Sequence, residues 1–80
     1  MLGAGEIKAA ISVFKKNVER HPGSANVYDS FGDAYDAANE LQLALESYQK
    51  ATEIARKNSN RNLKVYEENY QRLQIKFSKK

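Results

Sequence analysis

The stretch Tyr28-Asp29-Ser30-Phe31-Gly32-Asp33-Ala34-Tyr35, followed further on by Ala44, Tyr48 and Ala51, decides how this chain folds. Its large residues recur at three- and four-residue intervals, the spacing that lines one face of an α-helix. Gly32 falls on that face between Phe31 and Tyr35, where a side chain would hold a second helix away. Ala44 and Ala51 offer equally small contacts from the next helix, and Tyr28, Phe31, Tyr35 and Tyr48 fill the volume around them. Two helices meeting through glycine and alanine, walled by aromatic rings, form the centre of the fold.

Working outward, punctuation is sparse. The single proline, Pro22, stands in His21-Pro22-Gly23-Ser24, and Asn58-Ser59-Asn60 makes the other clear break. Between these breaks nothing alternates with the two-residue period of a strand, and no Asn-Gly or Asp-Gly hairpin signal occurs. The spacing therefore predicts an all-α chain of four helices, near residues 5–20, 25–38, 40–57 and 61–77. Ser24 is the expected N-cap of the second helix, and Ser59 or Asn60 that of the fourth. Pro22 closes the first helix.

The first and third helices repeat each other. Ile7, Ala10, Ile11 and Phe14 return, at a constant offset of 34 residues, as Leu41, Ala44, Leu45 and Tyr48. A 34-residue period of helix-turn-helix units, with an aromatic, a large apolar residue and glycine, a tyrosine, and later alanine, aromatic and alanine, is a repeat signature. On Tyr28, Phe31-Gly32, Tyr35, Ala44, Tyr48 and Ala51 the chain resembles the tetratricopeptide repeat (TPR) family. That resemblance implies an antiparallel helix-turn-helix superhelix of about one and a half repeats plus a C-terminal capping helix, a single domain over 1–80. Residues 5–22 would be a half-repeat helix, 25–58 a complete repeat and 61–77 the cap. Only Met1 to Ala4 precede the half-repeat, so its first half is expected to be missing. The cap reading rests on two departures: aligning Leu63 with Tyr28 puts Glu67 where Gly32 stands, and Arg56 replaces Pro22, so the third helix is expected to run a turn longer. The run from His21 to Ser30 also resembles TPR tails attached to bacterial serine-hydrolase or β-lactamase-like proteins, which implies nothing catalytic for this chain.

Composition bounds the function. At 80 residues, 41% hydrophobic and 29% charged, the chain is one domain with too small a core for a large enzyme. It has no cysteine, which excludes disulfide scaffolds, thiolate metal sites and cysteine nucleophiles. No apolar run approaches the ~20 residues of a membrane helix, and Met1-Leu2-Gly3-Ala4-Gly5 has neither the basic nor the apolar region of a signal peptide, so the cytoplasm is expected. The net charge of +3 divides into +2 over residues 1–21, −5 over 22–49 and +6 over 50–80. An acidic middle between basic ends is not a uniformly basic nucleic-acid surface.

Candidate chemistry is thin. His21 is the only histidine and stands at a helix end, without a second histidine or a nucleophile beside it; Gly3-Ala4-Gly5 lacks the strand a phosphate loop needs. No catalytic residue, cofactor or metal site is expected. Asp29, Asp33, Asp36 and Glu40 fall within ~60° of one another on the second helix, about a third of a turn from its core stripe. In the TPR family the first helix of each pair lines the concave ligand groove. The resemblance therefore makes these carboxylates, with Asn26 and, at the same offset on the fourth helix, Lys64, Glu68, Gln71 and Ile75, a groove for a basic or mixed-charge peptide; the alternative is a solvated face that only keeps the chain soluble. Carboxylates there do not fit capture of acidic chaperone tails. The fourth helix carries its own apolar stripe, Leu63, Tyr66, Tyr70, Leu73 and Phe77. With those rings on the core side, Arg72, Lys76, Lys79 and Lys80 offer phosphates charge alone, and nucleic-acid binding is not expected. The sequence thus points to a non-enzymatic scaffold for a protein or peptide partner. The alternative is a terminal appendage that stabilises or oligomerises a larger protein, self-associating through the apolar Ile7, Ile11, Phe14 and Val18 of the first helix.

Overall fold

A computed structural model describes residues 4–79; the readings made on Met1 to Gly3 and on Lys80 lie outside the described residues. The chain forms α1 (Ala4–Arg20), α2 (Ala25–Ala37), α3 (Leu41–Lys57) and α4 (Leu63–Ser78), with no strand among the described residues. Each helix packs on the next: α2 lies between α1 and α3, and α3 between α2 and α4. Ala25 meets Ala51 and Ala55 at one end of the α2–α3 contact while Tyr35 meets the Leu41 cluster at the other, so the two helices run antiparallel. The same clusters place Tyr66 by Ala55 and Leu73 by Leu41, which makes α3 and α4 antiparallel as well.

The α2–α3 contact is as close as its small residues allow. A Cβ built on Gly32 would lie 2.7 Å from Cδ1 and Cε1 of the Tyr48 ring. Ala44, Ala51 and Ala55 have no exposed surface, and Tyr48 and Leu73 are the largest side chains fully enclosed. Phe31 and Tyr35 stack with ring centroids 4.5 Å apart and planes tilted by 36°. Below them, α1 contributes far less: Ile7, Ile11, Phe14 and Val18 are all only half-buried, and Val13 is exposed.

The turns explain the helix ends. After Arg20, Pro22 and Gly23 form a turn and Ser24 takes extended backbone (φ −98°, ψ 112°), its Oγ accepting the Val27 N–H at 3.3 Å. That is the expected cap, satisfying one of the orphan donors of the first turn. α2 and α3 both end in a six-residue closure, Glu40 N–H to Tyr35 O at 2.9 Å and Asn60 N–H to Ala55 O at 2.8 Å. The residue before each closing donor is left-handed: Asn39 at φ 61° and Ser59 at φ 52°. This is the Schellman arrangement built without glycine.

Three expectations need correction. Ser59 does not cap α4 but completes the end of α3; Asn60 Oδ1 accepts the Asn62 N–H at 2.8 Å, and α4 starts at Leu63 with Asn62 as a cap that makes no side-chain bond. Phe77 is 40% exposed instead of in the core. Leu73 already packs on Leu41, the first residue of α3, so one turn later Phe77 overhangs the helix it was expected to cover. Glu40 is not on α2 at all: the helix stops at Ala37, Asn39 reverses the chain, and Glu40 becomes the N-cap of α3. α3 does run long, reaching Lys57, whereas Arg20 of α1 is equivalent to Ile54 at the 34-residue offset.

Candidate partner-binding groove

The acidic flank of α2 faces α4, and the two helices meet through side chains. Asn69 Nδ2 donates to Asp29 Oδ1 at 2.9 Å, and Lys76 Nζ donates to Asp36 Oδ1 at 2.6 Å. Both pairs are 40 residues apart, so α2 and α4 lie parallel in constant register. Between them the Tyr48 hydroxyl, rising from α3, donates to Asp33 Oδ1 and accepts from an Arg72 guanidinium nitrogen at 3.4 Å. The result is a ladder of three rungs across the α2–α3–α4 face: Asp29 with Asn69, Asp33 with Tyr48 and Arg72, and Asp36 with Lys76.

Burial sets the electrostatics of the ladder. Asp29 is half-buried, and loss of hydration pushes its carboxyl above the ordinary value, helped by the negative charge of Asp33; the Asn69 hydrogen bond and the Arg72 cation pull the other way without cancelling it. Burial also raises the Tyr48 phenol, and both its hydrogen bond to Asp33 and the charge of that carboxylate hold the proton further. Asp33 itself is exposed.

The sequence-derived site is only partly brought together. Asp29, Asp33 and Asp36 share the flank of α2, with exposed Asn26 one turn earlier. Glu40 instead borders a cleft with Ile7, Lys8, Ile11 and Ala37. Lys64, Glu68 and Gln71 are exposed, and Gln71 lines a different cleft, between α3 and α4, with Gln49, Glu53 and Arg56. Ile75 is 59% exposed. The expected α4 residues come from equivalence, 35 residues on from their α2 counterparts, whereas contact runs at 40. Equivalent residues point the same way in both helices, and those that touch must point toward each other; five residues turn a helix by about 140°. Equivalence therefore does not single out Asn69, and the sequence shows Arg72 and Lys76 only as charge without a partner. Their spacing, at i, i+3 and i+7 opposite the acids, is the signal that pairs them.

Among the described residues no group of three or more histidine, cysteine, aspartate or glutamate side chains is placed to hold a metal ion. None of the described helices is long and apolar enough to cross a membrane. His21 is exposed in the α1–α2 turn, where its carbonyl accepts the Ser24 N–H at 3.0 Å.

A family model described as tetratricopeptide repeat matches residues 4–57. The chain belongs to the tetratricopeptide repeat family. The match spans α1, α2 and α3, so the TPR frame holds the Gly32–Tyr48 contact and the acidic flank, while α4, which supplies the other half of the ladder, lies beyond it. Searches of curated proteins and of solved structures gave no match. TPR repeats as a family are modules that bind proteins and peptides.

Proposed function

We propose that this TPR protein is a non-enzymatic cytoplasmic scaffold whose α2–α4 face takes a basic or mixed-charge peptide segment of a partner protein. The supporting observation is the ladder: Asp29 and Asp33 are held by Asn69 and the enclosed Tyr48, so their oxygens are oriented before a ligand arrives, and Asp36 lies on the same flank. Residues 22–49 contain five acids and no base, which keeps the α2 side of the face negative. Asp33 is open to solvent and is the first carboxylate a cationic side chain would meet. Asn26 extends the face toward the start of α2, while Lys64, Glu68 and Gln71 stand outside it. Contacts of this kind weaken with salt. The test is calorimetric titration of lysine-containing peptides into wild type and Asp29→Lys/Asp33→Lys; affinity that survives the charge reversal removes the site.

The half-buried apolar stripe of α1 and exposed Val13 favour a second reading, in which copies associate through α1 or the chain serves as an appendage that does so for a larger protein. Light scattering decides it: a strictly monomeric, stably folded chain over a broad concentration range is incompatible with self-association through this surface.

A further inference from the structure

We infer that Lys76 is an internal competitor in this groove: its ammonium group occupies, on Asp36, the position that a basic side chain of the partner would take, so the free protein is partly self-blocked. The inference rests on the proposed groove and concerns its regulation. Of the three rungs, only this one is an ion pair open to exchange. Asn69 is a neutral donor to Asp29, and the hydroxyl that holds Asp33 belongs to Tyr48, which is wholly enclosed. Neither of them is displaced by an incoming cation without disturbing the packing. Lys76, by contrast, keeps 51% of its side-chain surface exposed and Asp36 keeps 23%.

The exchange follows from these exposures. A lysine or arginine of the partner approaches Asp36 from solvent, Lys76 swings its flexible stem back into water, and Asp36 keeps a cation throughout. No charge is left buried and unpaired at any stage, so the swap opposes binding only by the strength of an exposed pair. Arg72, one turn earlier, hydrogen-bonds Tyr48 and stays in place. Removing the Lys76 charge should therefore tighten binding of a basic peptide by about two- to five-fold, the range an exposed ion pair supplies.

The experiment measures the dissociation constant of an unstructured lysine-containing Gly-Ser peptide at low ionic strength for wild type, Lys76→Gln and Lys79→Gln. Lys79→Gln removes the same net charge at an exposed position that forms none of the ion pairs described, and so reports the general electrostatic effect. Asp36→Asn is the complementary variant, expected to weaken the peptide, and circular dichroism confirms that each variant is folded. A gain at Lys76→Gln beyond that at Lys79→Gln, with a loss at Asp36→Asn, is the expected result. Saturable wild-type binding with a Lys76→Gln affinity no greater than that of Lys79→Gln overturns the competitor and leaves the groove standing. Absence of saturable binding by wild type and Lys76→Gln alike overturns the groove, and the competitor with it.

Discussion

At Gly32 the fold depends on an absent atom. A methyl group there would sit 2.7 Å from two carbons of the Tyr48 ring, and that ring is itself enclosed and tied to Asp33, so it has no room to yield. Gly32→Ala should therefore lose roughly 1–3 kcal/mol by overpacking, despite alanine's better helix propensity, as read from urea unfolding followed by circular dichroism. At Asp29 the prediction concerns pH. Its folded-state carboxyl titrates above the ordinary value, so the stability it contributes is present below that value and disappears as pH rises through the folded one. Asp29→Asn should gain on wild type as pH rises from below the ordinary carboxylate value to above the raised folded one, because asparagine keeps an acceptor for Asn69 without a half-buried charge. A difference that stays constant with pH contradicts the assignment. Gly32, Ala44 and Ala51 were legible in the sequence because close helix contact demands small residues at fixed spacing, whatever the rest of the chain does.

Between elements, the end of α3 is the most improvable joint. Ser59 adopts φ 52°, a conformation that costs a residue with a Cβ roughly 1–2 kcal/mol and glycine almost nothing. Ser59→Gly should raise stability by about 0.5–1 kcal/mol after the greater freedom of glycine in the unfolded chain is counted, visible as a higher melting temperature. Asn39, the corresponding residue of α2, is already the best tolerated substitute for glycine there. The sequence hid this role of Ser59 because serine beside asparagine reads equally well as an N-cap. Which of the two it serves depends on where α3 stops, and that is settled by Asn60 closing back on Ala55. The same uncertainty about helix ends removed Glu40 from the acidic flank and carried Phe77 past the start of α3. The register of α4 against α2 was harder still, since it depends on turn geometry and not on the pattern of either helix.

The whole molecule is a thin slab, 36 by 32 by 17 Å, in which helices touch mainly their sequence neighbours. Stability in such an arrangement is a sum of neighbour contacts instead of one shared core. α3 holds the most enclosed residues, with α2 on one side and α4 on the other, whereas no α1 residue of described burial is fully buried. Native-state hydrogen exchange should rank the amides of α3 as the best protected and those of α1 as the least. Uniform protection across the helices would mean that α1 is held by more than its half-buried stripe.

The enclosed phenol of Tyr48 gives this slab a built-in optical reporter. With no tryptophan and five tyrosines, the near-ultraviolet absorbance of the chain is dominated by its phenols. Because burial and Asp33 hold the Tyr48 proton, the stability this residue contributes is full below the ordinary tyrosine value and drains away as the solution becomes more alkaline. Its share of the phenolate band should then emerge only as α2, α3 and α4 separate, so in a titration with base the part of that band missing from Tyr48→Phe follows, without any label, the moment the three helices let go of one another.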